Sequence, residues 1–365
     1  MNKSSNIFID CHVFDQSLQG TTSYIKGIYQ ELIKNKSNTY FFGSHSYDLK
    51  TIFGEHENVV YIKYASTNKF YRLLIELPKL IKKYKIDYAH FQYVVPPFKR
   101  CKYIVTVHDV LFMEYPQYFP FIYRISKRIL YKASAKHSDI VLTVSEYSKK
   151  QIQKHFKIQN IEITPNAVDK AFFDTYDKTE LFSRMKEEFN IENYFIFISR
   201  WEPRKNHHLL LKVFVENEYY KKYNLVFIGN KAIENKEYND FYTHLPEDIK
   251  SKIFCFENVN FEDLLLLVRS ATIAVYPSIV EGFGIPPLES IAASIPTVCS
   301  NTTAMSDFDF IGDCLFNPFS EEDLHKKIET ALKDKTILQK KEHVRLNYNW
   351  KLAANKIQEL ILKNS

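Results

Sequence analysis

Short runs of apolar, β-branched and aromatic residues alternate with amphipathic helical patterns along almost the whole chain. The segment Lys69–Lys83 shows the helical pattern clearly, because Leu73, Leu77 and Leu80 recur every three to four residues. Repeated alternation of strand and helix is typical of parallel sheets whose strands are joined by crossover helices. The sequence therefore predicts an α/β fold.

The apolar runs form two series, which predict two sheets. The first series is Ile7–Ile9, Tyr40–Phe42, Val59–Ile62, Tyr88–Phe91, Tyr103–Val107 and Ile140–Val144, followed by a short strand that ends at Pro165. The second series is Tyr194–Ser199, Leu225–Gly229, Ile253–Phe256, Ile273–Tyr276 and Thr297–Ser300.

A chain of 365 residues is long enough to form two domains. We place an N-terminal domain at residues 1–172, a C-terminal domain at residues 173–345 and a last helix at residues 346–365. The linker contains no Gly/Ser tract, so we expect the two domains to be tightly apposed. Such sheets leave a cleft between the carboxyl edges of their strands, where α/β folds bind ligands.

Cysteine content and hydropathy indicate a cytoplasmic protein. The five cysteines are odd in number, lack a C-x-x-C pair and lie mostly in core-like runs, so we interpret them as reduced. Zinc-ligand spacing is absent. Asp10 interrupts the first apolar run, which predicts a strand and not a signal peptide. No uninterrupted apolar stretch reaches about 18 residues, so we expect no membrane span.

The net charge of +6 is unevenly distributed. Residues 1–170 contain 25 Lys and Arg against 14 Asp and Glu, whereas the remaining residues contain 24 against 29. A basic first half suits an anionic partner. Nucleic acid, an anionic lipid surface and a lipid diphosphate all have that chemistry, and charge alone does not choose among them.

The densest signal for function is YPSIVEGFGIPPLESIAASIPT, at Tyr276–Thr297. A strand ends where the segment begins, and Gly282 and Gly284 permit positive φ angles and close backbone approach. Two prolines suit the first turn of a helix that we predict at Leu288–Ala293. The free N–H groups at the start of that helix favour a phosphate.

Glu281 and Glu289 flank this glycine loop with the spacing E-x7-E. Taken singly, Glu281 has the alternative explanation of a solvated loop carboxylate, and Glu289 that of complementing the helix dipole from the first turn. Their shared position after a strand end and beside the glycines favours a ligand site.

Three cations follow the first strand of the second series, in ISRWEPRKNHHLLLKVF. Arg200, Arg204 and Lys205 lie at the carboxyl end of that strand. A departing anionic group, such as a phosphate, accumulates negative charge, and fixed cations stabilise this charge more in the transition state than in the ground state. A solvated basic loop is the alternative, but the position at a strand end favours a functional role.

These motifs together resemble glycosyltransferase family four, and within it the mannosyltransferase-like proteins that build bacterial surface polysaccharides. The resemblance covers nearly the whole chain and rests on EGFGIPPLE, on EPRKN, on the pair His108-Asp109 and on the closing NYNWKLAANKIQELIL. It implies the GT-B fold, in which two Rossmann-like domains face each other across a cleft and the C-terminal helix returns to the first domain. Glu257 and Ala167 depart from the family pattern, which usually has glycine at both positions.

The resemblance also implies roles for individual residues. Glu281 would contact a hydroxyl of the donor sugar, Lys205 would hold the diphosphate and Glu289 would hold the ribose. His108 would line the sugar pocket, although a core histidine bonded to Asp109 is the alternative. The residues implied for catalysis are Glu281, His108, Arg200 and Lys205, and those implied for the donor nucleotide and diphosphate are Glu289, Gly282, Phe283, Gly284, Ile285, Gly20 and Thr21.

The implied reaction is retaining transfer of a hexose from a nucleoside-diphosphate sugar to a glycan hydroxyl. The acceptor proton would pass to the departing phosphate, and protein cations would take the place of a metal, so we expect neither metal nor cofactor. Asp307-Phe308-Asp309 is interpreted as a chance D-x-D match. Two glutamates also suggest a glycosidase, which we do not favour because the surrounding cations suit a diphosphate leaving group and not a neutral glycoside.

Partners and alternatives follow from the same resemblance. GDP-mannose is the favoured donor, with UDP- and dTDP-sugars as alternatives, and the expected acceptor is a glycan on a lipid diphosphate. We expect no nucleic-acid partner. A non-catalytic scaffold subunit of the same fold and a nucleotide-sugar epimerase remain open as other classes of function.

Two basic, aromatic helical segments of the first half, Lys69–Lys85 and Tyr118–Lys132, are candidates for contact with an anionic membrane. The alternative is that they are amphipathic helices packed on a core, with a solvated lysine face. The first interpretation places the cytoplasmic protein at the inner face of the plasma membrane.

Overall fold

The structure is a computed structural model that describes residues 4–15, 20–45 and 48–364. It divides into two compact units. The first runs to Ala167 and resumes at Trp350, and the second comprises Val168–Asn349. Each unit contains a parallel sheet whose strands are connected by helices, so the predicted α/β fold class is confirmed.

The sheet of the first unit has seven strands among the described residues. They are β1 (Asn6–Asp10), β2 (Thr39–Ser44), β3 (Val59–Lys63), β4 (Tyr88–Gln92), β5 (Lys102–Thr106), β6 (Ile140–Thr143) and β7 (Glu162–Ile163). Their order is β3-β2-β1-β4-β5-β6-β7, so the direction in which strands are added reverses between β1 and β4. Open α/β sheets bind ligands outside the carboxyl ends of strands at such a point.

The helices of the first unit lie between these strands in sequence. They are α1 (Gly20–Leu32), α2 (Lys50–Phe53), α3 (Lys69–Tyr71), α4 (Leu77–Lys83), α5 (Leu111–Glu114), α6 (Phe121–His137) and α7 (Glu146–Phe156). A π-helical turn, Arg72–Glu76, joins α3 to α4, so the helix predicted at Lys69–Lys83 is present.

The sheet of the second unit has six strands among the described residues. They are β8 (Tyr194–Ile198), β9 (Asn224–Ile228), β10 (Ile253–Phe256), β11 (Ile273–Tyr276), β12 (Thr297–Ser300) and β13 (Leu315–Phe316), in the order β10-β9-β8-β11-β12-β13. The helices are α8 (Lys178–Phe189), α9 (His207–Glu216), α10 (Lys236–Thr243), α11 (Glu247–Lys250), α12 (Phe261–Arg269), α13 (Ile285–Ala292), α14 (Glu321–Ala331) and α15 (Ile337–Asn347). β13 was not predicted because a strand of only two residues is too short to show a pattern of apolar residues.

The last helix, α16 (Trp350–Lys363), returns to the first unit and packs against α1. A Cβ atom placed on Gly27 of α1 would lie 2.1 Å from Cε2 of Trp350, so the indole occupies the space that only a glycine leaves. The Tyr88 hydroxyl donates to the Ile361 carbonyl at 3.0 Å. The expectation that the C-terminal helix crosses back to the first domain is confirmed.

Burial explains why the strands read as continuous apolar runs. All residues of β4 and β11 are buried, as expected for central strands of parallel sheets with both faces covered. All five cysteines are free, and Cys255 is exposed because β10 is the edge strand of its sheet. None of the helices in the described part of the chain is long and apolar enough to cross a membrane.

Candidate functional site

The motif EPRKN forms a tight turn at the carboxyl end of β8. Pro203–Lys205 is a single turn of 3-10 helix, and Asn206 adopts the left-handed conformation (φ 61°, ψ 39°) before α9 begins. Proline is preorganised for the first position of such a turn, and asparagine is one of the few residues that tolerate a left-handed backbone. The motif therefore fixes Lys205 at the edge of the second sheet.

The motif EGFGIPPLE leads from β11 into α13. Gly284 has a φ of 95°, and the helix begins at Ile285 with two prolines in its first turn. The predicted helix, Leu288–Ala293, started too late, because prolines without N–H groups fit the first turn, where those groups have no partner. Glu289 is thus the fifth residue of α13 and lies outside the first turn, where the helix dipole acts most strongly.

The two loops are joined by an ion pair between Lys205 and Glu281. The ammonium of Lys205 donates to Oε1 of Glu281. Arg204 lies beside this pair, with Nη1 3.6 Å from Oε2 of Glu281 and 2.7 Å from the Val280 carbonyl that accepts its hydrogen bond. The Ile279 amide donates back to the Arg204 carbonyl at 2.8 Å. Two residues predicted for one site are therefore in direct contact.

Burial and charge act in opposite directions on this pair. The side chains of Lys205 and Glu281 are only 12% and 16% exposed. Burial alone would raise the pKa of Glu281, but Lys205 and Arg204 outweigh it, and the pKa lies below its ordinary value. Burial lowers the pKa of Lys205, and the carboxylate of Glu281 opposes that shift. Glu281 is therefore ionised at neutral pH.

Glu202 links the other two cations of the cluster. Its carboxylate lies 2.6 Å from Nε of Arg204 and 3.8 Å from Nε of Arg200. The Arg200 side chain is 58% exposed, so it lies on the outer side of the cluster, whereas Arg204 reaches Glu281. Three cations face two carboxylates here, which leaves an excess positive charge at the sheet edge. Arg204 was noted in the sequence but not among the predicted catalytic residues.

Glu289 has a different environment. In the described part of the chain its carboxyl has neither a hydrogen bond nor an ion pair, and its pKa is raised to about 7 by burial and by the nearby charge of Asp169. Asp169 itself caps a short 3-10 helix by accepting from the Ala171 amide at 3.0 Å. A partly buried carboxyl with unused acceptor sites suits a ligand that brings hydroxyl groups.

Phe283 anchors the glycine loop. Its buried ring makes edge contacts with Phe308 at 5.7 Å and Tyr348 at 6.0 Å between ring centroids. Any contact that Phe283 makes with a donor therefore comes from its backbone. Phe308, the central residue of the D-x-D match, serves this packing, and no three His, Cys, Asp or Glu residues within the described ranges gather as a metal site.

His108 lies in the first unit, two residues after β5. Its Nε2 lies 2.6 Å from Oε1 of Gln92, at the end of the neighbouring strand β4. Because an amide oxygen only accepts, Nε2 carries the proton and Nδ1 remains an acceptor. Burial lowers the pKa of His108 to about 3, so the ring is neutral. Asp109, the partner considered from sequence, accepts from the Leu111 amide at 3.2 Å.

Gln92 is a site residue that sequence reasoning missed. It belongs to a buried polar group on the same strand ends, in which Nε2 of His90 lies 2.8 Å from Oγ1 of Thr106 and Nδ1 lies 2.8 Å from the Tyr29 hydroxyl. The signal was the alternation of His90 and Gln92 within a strand that is otherwise apolar. Buried polar side chains at alternate positions share a face and need partners.

Gly20 and Thr21 begin α1, after residues that lie outside the described part of the chain. Gly20 is exposed, and a Cβ atom there would meet no described atom within 4 Å. Packing among the described residues therefore does not require the glycine. The predicted contact of Gly20 and Thr21 with a diphosphate stays a prediction.

Two family models match the chain in succession. The model described as Glycosyltransferase Family 4 matches residues 19–172, and the model described as Glycosyl transferases group 1 matches residues 179–353. Together they leave only the two termini and a short linker unmatched.

Curated relatives and solved structures agree with these models. The chain is 30% identical to the O-antigen chain mannosyltransferase RfbU of Salmonella typhimurium over 62% of its own length and 59% of that protein, and thus spans less than two thirds of it. It is 27% identical to the O-antigen chain mannosyltransferase B of Escherichia coli over 70% of its length and 71% of that protein. A glycosyltransferase structure from Rickettsia africae aligns over 100% of both chains, with a TM-score of 0.74 and 20% identity. This likeness concerns the fold, and the predicted GT-B fold class is confirmed.

Proposed function

We propose that this chain, which belongs to glycosyltransferase family four, transfers mannose from a nucleoside-diphosphate sugar to a hydroxyl of a glycan. The observation that carries the proposal is the partly buried pair of Lys205 and Glu281, flanked by Arg204 at the edge of the second sheet. Mannose is supported by the names of the two curated relatives, both O-antigen chain mannosyltransferases.

The excess positive charge beside α13 would stabilise the leaving group. As the bond between sugar and phosphate breaks, the diphosphate gains negative charge, and cations that are already fixed stabilise it without reorganising. Lys205 and Arg204 are fixed by their contacts with Glu281 and Val280. The N-terminal end of α13 carries the positive end of the helix dipole and adds to this positive field. Arg200 would supply a further, more mobile cation from the outer side.

Glu281 would orient the sugar. Its carboxylate is ionised and shares Lys205 with the incoming diphosphate, so a sugar attached to that diphosphate lies within reach of the same carboxylate. Sugar hydroxyls donate well to a charged acceptor. Glu289 would accept from the two ribose hydroxyls, which fits its unused acceptor sites. Gly282, Gly284 and Ile285 would contribute backbone amides.

In the first unit, His108 would accept a hydrogen bond from a donor-sugar hydroxyl through Nδ1. Gln92 fixes the tautomer that makes this possible. Gly20 and Thr21 would offer backbone N–H groups to the diphosphate or to the acceptor.

We further propose same-face attack with retention of configuration, in which the acceptor hydroxyl loses its proton to the departing phosphate oxygen. The density of fixed cations supports a reaction without a metal. The acceptor would be a glycan on a lipid diphosphate in bacterial surface-polysaccharide synthesis, at the cytoplasmic face of the membrane. GDP-mannose is the donor that we favour over UDP- and dTDP-sugars.

The test is a screen of GDP-, UDP- and dTDP-sugars for release of nucleoside diphosphate by the purified chain, with and without a mannan-type acceptor. Glu281→Ala and Lys205→Ala should lose turnover about 100-fold or more while staying folded. Lys186→Ala and Glu192→Ala, which disrupt an exposed ion pair in the same unit, are the matched controls. Normal turnover of Glu281→Ala would remove the site assignment.

The same assay separates the alternatives. Retention would appear as an α-linked product from an α-linked donor by NMR, and full activity in EDTA would support the reaction without metal. Nucleotide binding without turnover would favour the scaffold subunit. Conversion of the donor to its epimer without an acceptor would favour the epimerase.

A further inference from the structure

The first half of α6 presents large apolar side chains to solvent. Within the described segment Phe121–Leu130 no residue is buried, and the buried residues of α6 all come later. Ile122 is 81% exposed, Phe121 65% and Ile129 62%. An amphipathic helix on a soluble protein normally turns its apolar stripe toward the core. This helix turns part of its apolar surface outward instead.

A second outward apolar face lies on α3 and the π-helical turn. Phe70 is 73% exposed, and Leu74 and Ile75 are also exposed. A groove of about 480 Å³ separates this face from α6. Its lining is mostly apolar and comes from both sides, with Phe70 and Leu74 on one side and Leu130 on the other. The two faces and the groove all belong to the same two helical segments of the first unit, and we call them together the apolar face.

The charge around the apolar face has one sign. Residues 69–85 contain five Lys and one Arg against a single acid, Glu76, and residues 118–137 contain three Lys and two Arg with no acid. Glu76 is buried and accepts from the Ala65 amide. Neither helical segment therefore exposes a carboxylate, and the surface complements an anionic one.

Two of these cations, one from each helical segment, repel each other. Lys69 lines the groove, and its charge acts together with burial to lower the pKa of Lys127 on α6. The Lys127 ammonium lies 5.3 Å from the ring centroid of Tyr123 and 5.4 Å from that of Tyr131. An anion between the two lysines would relieve their repulsion. Tyrosines beside cations, at the border of an apolar patch, are typical of membrane interfaces.

We propose that the apolar face is a docking surface for an anionic lipid bilayer, into which Phe121 and Ile122 insert while the groove receives a lipid hydrocarbon chain. An anionic bilayer matches all of these features. Its hydrocarbon interior suits the outward apolar residues, and its phosphates suit Lys69 and Lys127. The absence of exposed carboxylates on the two segments avoids repulsion from those phosphates. A protein partner that complements this surface would need an apolar centre surrounded by many acidic residues. The proposal concerns location and does not depend on the sugar that is transferred.

The test is sedimentation of the full chain with vesicles of phosphatidylglycerol and phosphatidylethanolamine, compared with phosphatidylcholine alone. We expect binding to the anionic vesicles that falls as salt rises. The double variant Phe121→Ser, Ile122→Ser should bind about tenfold more weakly or worse. Lys127→Glu, a change of two charges, should weaken binding about thirtyfold. Melting temperatures should stay unchanged for the double variant, because both residues are exposed.

Matched controls come from the second unit. Leu338→Ser removes an apolar residue that is 68% exposed, and Lys186→Glu reverses an exposed charge. Both should bind vesicles like the unaltered chain. Ile122→Trp should show a blue-shifted emission on anionic vesicles, which reports insertion and not mere attraction.

Three results would overturn the proposal. One is failure to sediment with anionic vesicles at low salt. Another is equal loss of binding in Leu338→Ser and in the double variant. The third is a dimer in sedimentation velocity that the double variant abolishes, without any vesicle binding, since this would assign the apolar face to a second copy of the chain.

Discussion

The Lys205 ammonium is bonded to the Glu281 carboxylate although 76 residues separate them. This pair ties the turn after β8 to the glycine loop after β11, two strands that are neighbours in the second sheet. Arg204 adds a bond to the Val280 carbonyl in the same loop. The residues proposed to bind the diphosphate and the sugar are thus held in place by contacts with one another.

The first prediction concerns the stability that this pair supplies. Glu281→Gln or Lys205→Met alone leaves a largely buried charge without its partner, so each should lower the free energy of unfolding by about 3 kcal/mol. The double variant should lose less than the sum of the two. Urea unfolding of the four proteins measures the coupling.

The matched control is the same double-mutant cycle applied to Lys186 and Glu192, whose ion pair at 2.9 Å is exposed. We expect little coupling there, because solvent screens exposed pairs. Additive losses for Lys205 and Glu281 would show that the two side chains are not paired in solution.

The second prediction concerns pH. Because the pKa of Glu289 is about 7, its carboxylate form becomes the major one only above neutrality. Nucleotide affinity should therefore rise as the pH increases through about 7, and Glu289→Gln should bind weakly and without that rise. Calorimetric titration with GDP at several pH values measures this. A rise that persists in Glu289→Gln would assign the titration to another group.

The free energy of unfolding should change in the opposite direction and fall as the pH rises. The folded state holds the Glu289 proton more tightly than the unfolded chain, whose glutamate has a pKa near 4.5. The stabilisation from this group is complete below that value and is lost as the pH rises toward about 7. Glu289→Gln should remove this part of the pH dependence in urea unfolding.

The third prediction tests the cause of the shift. Asp169→Asn removes the negative charge near Glu289 but keeps a side-chain oxygen that can cap the Ala171 amide. The pKa of Glu289 should fall, so the rise in nucleotide affinity should begin at lower pH. NMR of the Glu289 carboxyl carbon would follow the pKa directly. An unchanged midpoint would mean that burial alone sets the value.

Local patterns predicted most of this molecule. Strand positions followed from apolar runs, and the loops that carry Lys205 and Glu281 followed from glycine, proline and strand ends. Their direct contact did not follow, because side-chain pairing across neighbouring strands depends on sheet order. The start of α13 was misplaced because the predicted bounds left out the two prolines, although proline fits the first turn of a helix.

Two further features needed the structure. Gln92 could not be matched with His108 until β4 and β5 were known to be adjacent. The exposure of Ile122 and Phe121 could not be read from an amphipathic pattern, because a helical stripe does not say which side faces the protein. The return of α16 to α1 was anticipated only through the family resemblance.

The fourth prediction concerns His108. Its low pKa means that transfer should show no His108 titration between about pH 5 and 8. Gln92→Leu removes the acceptor that fixes the tautomer and should slow transfer about tenfold or more. Gln92→Glu places a carboxylate against Nε2, which should raise the pKa of His108 and introduce a new step in the pH–rate profile. The absence of any change in both variants would remove Gln92 from the site.

The last prediction concerns the contact between α1 and α16. Gly27→Ala places a methyl group 2.1 Å from Cε2 of Trp350, so α16 must shift, at a cost of about 1 to 3 kcal/mol in the free energy of unfolding. Trp350→Leu in the same chain should restore part of that loss by freeing space. Gly20→Ala, in the same helix but with no described atom within 4 Å of the added Cβ, is the control and should be neutral or stabilising. Urea unfolding measures all four proteins, and equal effects of the two glycine substitutions would show that the indole does not occupy this position.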